Sequence, residues 1–240
     1  YKRQIVYNVT NNTVLNGSLE SPEVSIASIT KLMTVYTILK SEQDLNETLK
    51  VISPRTPNTI LSKGMELSRK DLLELALVNS DNLAAITLGE NYPGGTATFV
   101  EKMNFYAKDI GLNNSFFVEP TGLNAGNHST MADVVKLTNI VSEFEIVKNA
   151  AQLTNLSLTH EVSDKKKKKK RKLFTNPTSS YFGKQGIITI KTGFTKAAGF
   201  CITMLVTIND KLYNVVVLGA KTKQERQKLV EKMLKTIYSA

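Results

Sequence analysis

The chain has 240 residues, 41% of them hydrophobic, and a formal net charge of +10 at pH 7. That apolar content suffices to bury a full core and excludes a chain disordered as a whole. The single cysteine, Cys201, excludes an intrachain disulfide and, lying in an apolar run, reads as a small buried side chain.

In chain order, Gln4 to Val9 and Thr13 to Leu15 flank Asn11-Asn12 and predict a short hairpin. From Ser28 the pattern changes: Ile29, Leu32, Met33, Tyr36 and Leu39 recur at steps of three and four, one face of a helix. Pro54 and Pro57 interrupt it. Ser68-Arg-Lys-Asp71 then offers a capping box ahead of Leu72, Leu73, Leu75 and Leu77, which predicts a helix from Ser68 into Asn79. Pro93-Gly94-Gly95 reads as a turn. Phe99, Met103, Tyr106 and Ile110 form the next amphipathic stripe, stopped by Gly111, and Thr130-Met-Ala-Asp133 opens a helix through Val134, Leu137 and Val141. The C-terminal third is β-rich, with strands over Ile187 to Lys191, Phe200 to Ile208 and Leu212 to Leu218, the last two joined by an Asn209-Asp210 turn; a helix from Lys223 to Tyr238 follows.

Helices thus fill the middle while strands gather at both ends. The expected class is α/β of the α+β kind: an antiparallel sheet built from both termini and flanked by helices, with a helical lobe inserted between them. All of residues 1–240 are expected in one domain, the sheet lobe at about 1–50 and 184–240, the helical lobe at about 51–183, and a cleft between the two. No stretch approaches the roughly 18 apolar residues that span a bilayer. Because residue 1 is Tyr rather than Met, a processed product is expected, with a leader already removed. Lys165 to Lys172 is an unbroken basic octet that carries most of the net charge and reads as a solvated loop.

Three short motifs follow one another: Ser28-Ile-Thr-Lys31, Ser80-Asp-Asn82 and Lys191-Thr-Gly193. Singly each is weak, since a Ser with Lys three places on should arise about once in a chain of this length, and Ser163-Asp-Lys-Lys166 is such a decoy. Their order and addresses raise them above chance. Ser28 and Lys31, three apart at a helix start, share a face, and the helix N-terminus offers backbone N–H groups beside the serine. The second motif falls between two helices, and the third ends a strand where Gly193 permits close approach of a substrate backbone. A serine hydroxyl needs a base, and neither His128 nor His160 stands in a triad-like motif; His128 reads as a loop histidine. Lysine remains. Lys31 would have to be neutral near pH 7, and burial together with the second cation, Lys191, would push it that way.

Residues 26–201 resemble the low-molecular-mass penicillin-binding proteins of the serine D,D-peptidase and β-lactamase-like superfamily, and most closely the D-alanyl-D-alanine endopeptidases of the type-7 branch. The segments that carry the resemblance are Ile26-Ala-Ser-Ile-Thr-Lys-Leu-Met33, Tyr92-Pro-Gly-Gly95, Phe117-Val-Glu-Pro-Thr-Gly-Leu123 and Lys191-Thr-Gly-Phe-Thr-Lys-Ala-Ala-Gly-Phe-Cys201. The resemblance implies that Ser28 is the acylated nucleophile and Lys31 its base. It further implies that Ser80 relays a proton toward the leaving amine and that Asn82 holds the substrate's amide backbone. Lys191, Thr192 and Gly193 would bind the peptide's terminal region, and the backbone N–H groups of Ser28 and Phe194 would form the oxyanion hole.

The implied substrates are peptidoglycan stem peptides cut at D-alanyl bonds, crosslinks by preference, with β-lactam antibiotics as covalent inhibitors. A D-alanyl-D-alanine carboxypeptidase is the nearest alternative, and the absence of a further β-rich domain after the closing helix favours the endopeptidase. A class A-like β-lactamase and a non-catalytic polyanion-binding module are more distant alternatives. The implied site is periplasmic or otherwise extracytoplasmic. Neither a cofactor nor a metal is required for acyl transfer to serine, and no nucleic acid partner is expected. The relatives carry a mixed polar segment where this chain has Lys165 to Lys172, so docking there to anionic wall polymer or a membrane surface is the functional reading of the run. Glu119-Pro-Thr-Gly-Leu-Asn124 is similar to the Glu-x-x-Leu-Asn loop of class A β-lactamases, but its Leu-Asn pair arrives one residue late; Glu119 is therefore read as structural.

Overall fold

The computed structural model describes residues 3–164 and 167–239. The chain opens with β1 (Gln4–Asn8), β2 (Thr13–Gly17) and β3 (Val24–Ser25), then a 3-10 turn over Ala27–Ile29 leading into α1 (Thr30–Lys40). β4 (Thr48–Lys50), β5 (Glu66–Ser68), α2 (Arg69–Val78), α3 (Asn82–Glu90), α4 (Gly95–Asp109), β6 (His128–Ser129), α5 (Met131–Val141) and α6 (Glu145–Ala151) follow. β7 (Leu156–Asp164), β8 (Lys167–Thr175), β9 (Ile187–Thr195), β10 (Gly199–Ile208), β11 (Lys211–Ala220) and α7 (Lys223–Tyr238) complete it.

The main sheet has the order β2-β1-β11-β10-β9 with every neighbouring pair antiparallel, so the N-terminal hairpin is stitched onto the C-terminal strands through β1 and β11. Asn209 and Asp210, both at positive φ (50° and 58°), make the tight turn that sets the β10–β11 register. Tyr213 to Leu218 are buried without a break, as in a strand covered on both faces. α5 and α7 supply the two covers, since both pack on β10, β11 and β1. α5 is pinned by Thr138 to Thr203 (2.7 Å) and by Asn139 to Asn214 (2.6 Å). α1 lies at the centre of the molecule, buried from Thr30 to Ile38 and packed against α2, α3, α4 and α5.

Local capping follows the sequence closely. Ser68 caps α2 by accepting from Asp71 N–H, Thr130 caps α5 by accepting from Asp133 N–H, and Gly111 sits at φ +69° just beyond α4.

Two expectations need correction. The stretch read as a helical lobe also holds the strands β5, β7 and β8, which join β4 just before it in a second sheet of order β4-β5-β7-β8. The basic run is not a loop: from Lys167 it forms β8, paired residue for residue with β7 from Leu156↔Thr175 to Asp164↔Lys167. Lysine has low intrinsic strand preference, so it is the partner strand that makes this segment extended. Leu156, Leu158 and His160 are buried on one face of β7, and β8 pairs against that anchored edge. Lys165 and Lys166, with half of the decoy Ser163-Asp-Lys-Lys166, lie outside the described residues.

Candidate active site

The three motifs converge on one cleft of about 360 Å³, whose walls include Ser28, Ser80, Asn82, Thr192, Gly193 and Phe194. Ser28 stands in the 3-10 turn before α1, and Lys31 in the first turn of α1 itself. Ala27, immediately before the serine, has φ +47°, a conformation that costs a non-glycine residue on the order of 1 kcal/mol or more. The surroundings hold it there. Gly122 and Gly193 press on the turn so closely that a Cβ at Gly122 would lie 1.9 Å from Ala27 O, and one at Gly193 would lie 2.8 Å from Ser28 N. Only glycine fits either place.

Lys31 is fully buried, and its Nζ contacts Ser28 Oγ at 2.9 Å, Asn82 Oδ1 at 2.8 Å and the Thr121 carbonyl at 2.8 Å. The amide and carbonyl oxygens can only accept, whereas a hydroxyl can also donate. A neutral amine with two N–H groups therefore spends both on Asn82 and Thr121 and turns its lone pair toward the Ser28 hydroxyl. The charge state agrees. Burial lowers Lys31 to about 7, overcoming the opposing pull of the Glu119 and Asp81 carboxylates. The second cation, Lys191, lies close enough that each ammonium disfavours the charge of the other. That lysine is also fully buried and is held well below the ordinary range, by burial first and then by the charges of Lys31 and Arg226.

Lys191 projects from β9 and contacts Ser80 Oγ at 2.8 Å and the Thr192 carbonyl at 3.0 Å. Ser80 itself sits at φ +60° in the bend between α2 and α3, which aims its hydroxyl at Lys191. Asp81, between the two cleft residues, faces the other way: it caps α3 through Ala84 N–H (2.9 Å) and accepts from Ile60 N–H (2.8 Å) and the Thr59 hydroxyl (2.8 Å). Burial raises its pKa in spite of these bonds. Asn82 donates to Pro57 O at 2.6 Å and accepts from Lys31, so it positions the lysine whatever else it holds.

Glu119 is a loop clamp. Its carboxylate accepts from the backbone N–H groups of Thr121 (2.7 Å) and Gly122 (2.6 Å), from the Thr121 hydroxyl (2.6 Å) and from Asn127 Nδ2 (2.6 Å). The clamped loop presents the Thr121 carbonyl to Lys31 and Gly122 to the serine turn. Four residues of the cleft carried no signal in the sequence: Asn58, Thr178, whose hydroxyl accepts from Thr192 at 2.8 Å, and the cations Lys223 and Arg226 of α7. Phe194 and Phe200 stack at 4.1 Å between ring centroids along the mouth, and Phe194 is 52% exposed. A larger cavity of about 630 Å³, around Lys50, Glu66, Thr159 and Lys170, contains none of the motif residues.

An antiparallel sheet covered by helices, with a buried lysine against a serine in the cleft beside β9, has the parts of an enzyme that transfers acyl groups to serine. The model of the D-alanyl-D-alanine carboxypeptidase family matches residues 2–222, and the chain belongs to that family of hydrolases. It is 36% identical over 231 residues to the D-alanyl-D-alanine endopeptidase of Escherichia coli (strain K12), covering 90% of this chain and 70% of that one. To the D-alanyl-D-alanine endopeptidase of Pseudomonas aeruginosa it is 38% identical over 204 residues, covering 82% of this chain and 64% of the relative. The ampicillin-bound penicillin-binding protein D2 of Listeria monocytogenes superposes with a TM-score of 0.82 at 27% identity, covering 98% of this chain and 96% of that one.

Proposed function

We propose that this chain is a serine D,D-peptidase that hydrolyses D-alanyl peptide bonds of peptidoglycan, crosslinks by preference, through an ester on Ser28. The observation that carries this reading is the partner set of Lys31, two oxygens that can only accept and the Ser28 hydroxyl, so that once the amine is neutral its lone pair is left for the serine. In the reaction Ser28 Oγ attacks the D-alanyl carbonyl carbon while its proton passes to Lys31 Nζ. The backbone N–H groups of Ser28 and Phe194 receive the oxyanion. The C–N bond then breaks, and the leaving amine takes a proton relayed by Ser80, so that the proton lost by Ser28 balances the one the amine gains. Asn82 holds the substrate amide. Thr192 and Gly193, with Lys223 and Arg226 on the same wall, hold the far side of the substrate. Water hydrolyses the ester and returns the serine. β-Lactams enter by the same attack, their ring amide standing in for the peptide bond. Such a substrate places the protein in the periplasm or an equivalent extracytoplasmic space.

The preference for crosslinks rests on the two relatives named endopeptidases, because both reactions pass through the same acyl-enzyme. It is tested by giving the protein a crosslinked dimeric muropeptide and a monomeric pentapeptide at equal concentration and following both by chromatography. Monomers from the dimer should appear faster than D-alanine from the pentapeptide. The opposite order makes the chain a carboxypeptidase with the Ser28 chemistry intact.

The basic strand supports a second, independent role in docking to anionic wall polymer or an anionic membrane surface. Lys170, Arg171 and Lys172 are exposed on β8, at the edge of the small sheet. Replacing them with Ser should weaken binding to whole sacculi at low salt and flatten the salt dependence, because exposed charges are screened within about 8 Å at physiological ionic strength. Cleavage of a small soluble peptide should stay within about twofold, since surface charge acts mainly on encounter. An equal loss in both assays would place the strand in the catalytic cleft instead.

A further inference from the structure

The catalytic cleft does not end at its cationic wall. Thr178, Lys223 and Arg226 also border a second, smaller chamber of about 200 Å³, which continues past them between the segment after β8 and the face of α7. Beyond the shared residues the chamber is of mixed character: Ser180, Tyr181 and Gln227 stand beside Pro177, Ile202 and Val230, and Ser180 and Gln227 are exposed at its rim.

Its place relative to the chemistry follows from the hydrogen bonds. Ser80 contacts Lys191, Lys191 contacts the Thr192 carbonyl, and the Thr192 hydroxyl donates to Thr178. If Ser80 protonates the leaving amine, the departing group lies on this side of Ser28, and the path from Ser80 along β9 runs over Thr178 into the chamber. A single departing D-alanine ends in a carboxylate and stops at the cations. A departing stem peptide has more chain beyond its released amine, and that chain needs polar, open space.

We propose that this second chamber is the leaving-peptide subsite: Arg226 and Lys223 take a carboxylate next to the released amine, and Ser180, Tyr181 and Gln227 receive the polar backbone that follows. The inference rests on the endopeptidase reading and adds where the second stem peptide lies.

The test is to plug the rim. Ser180→Trp and Gln227→Trp place a large side chain at the chamber from two different elements, leaving Ser28, Lys31, Ser80, Asn82 and Lys191 untouched. Three rates are compared with the wild type: cleavage of a dimeric muropeptide crosslinked from D-alanine to meso-diaminopimelate, release of D-alanine from a monomeric pentapeptide, and acylation by benzylpenicillin. The expected result is a fall of about tenfold or more in kcat/KM on the dimer for both variants, with the other two rates changed by less than about threefold. If the wild type cuts the dimer and both plugged variants cut it equally fast, the chamber is not used. An equal fall in all three rates for both variants also overturns the inference, because the chamber is then not separate from the acylation cleft. A wild type that releases D-alanine but leaves the dimer whole overturns the endopeptidase reading beneath it, an outcome visible before either variant is made.

Discussion

Ser28→Ala is expected to abolish the covalent adduct that benzylpenicillin forms with this protein, and to lower D,D-peptide cleavage by at least about 10⁴-fold, the scale on which loss of a serine nucleophile acts. The wild type should gain one penicillin equivalent in the mass of the intact protein, and peptide mapping should place it at Ser28. The structural argument is that no second hydroxyl among the described residues shares the arrangement. Ser80 contacts a lysine too, but Lys191 is spent on Ser80 Oγ and the Thr192 carbonyl, and Ser80 has no glycine-crowded turn behind it. The fold should survive the change, since Ser28 caps no helix with its side chain and the turn is held by Gly122 and Gly193. An adduct that persists in Ser28→Ala, or one that maps to Ser80 or Ser163, would refute the nucleophile assignment.

Most of this site could be read from the sequence because its polar residues are bound to local geometry. Ser28 and Lys31 meet because they are one helical turn apart, and Ser80 and Asn82 enter the cleft because a bend between two helices carries them there. Lys191 and Thr192 lie on a strand whose apolar neighbours announce it. What stayed hidden depends on partners far along the chain. Arg226 and Lys223 look like any charged residues of an amphipathic helix, and only the packing of α7 on β10 and β11 brings them to the cleft. Glu119 gave the opposite problem, a familiar carboxylate pattern whose oxygens are taken up by its own loop.

In the fold, the helix expected after Ser80-Asp-Asn82 has no readable bounds in the sequence, because the apolar residues of α3 from Leu83 to Leu88 are buried nearly all round and leave no stripe to read. β4 and β5, at three residues each, are too short to show a period of two. β8 shows no period at all, since a run of lysines cannot alternate, and its extended form comes from pairing with β7. The sheet at the termini was legible for the reverse reason: its strands are long, apolar and rich in Val and Ile, with a turn dipeptide at the β10–β11 junction.

Lys31 is expected to give the acylation rate its pH dependence. Its pKa is lowered to about 7, so below that pH the amine is protonated, its lone pair is gone, and Ser28 has no base. The sign follows directly. Penicillin acylation, read as the second-order rate constant, should fall about tenfold per pH unit on the acid side of 7 and flatten above about pH 8, the shape set by one group that must lose a proton. The same group affects stability in the same direction. The unfolded chain binds the lysine proton up to the ordinary value of 10.5 and the folded chain only up to about 7, so this group's contribution to stability rises between those two pH values. A cation that merely attracted the substrate would behave oppositely, losing its effect as pH rises. Lys31→Arg separates the two roles, because a guanidinium keeps the charge and cannot act as a base near neutral pH. The variant should acylate at least about 10³-fold more slowly, a loss within the range of a missing general base. Since an arginine in so tight a place could also disturb α1, the wild-type profile is the deciding measurement: a rate that is flat from pH 5.5 to 8.5, or that declines through pH 7, means that Lys31 does not take the serine proton.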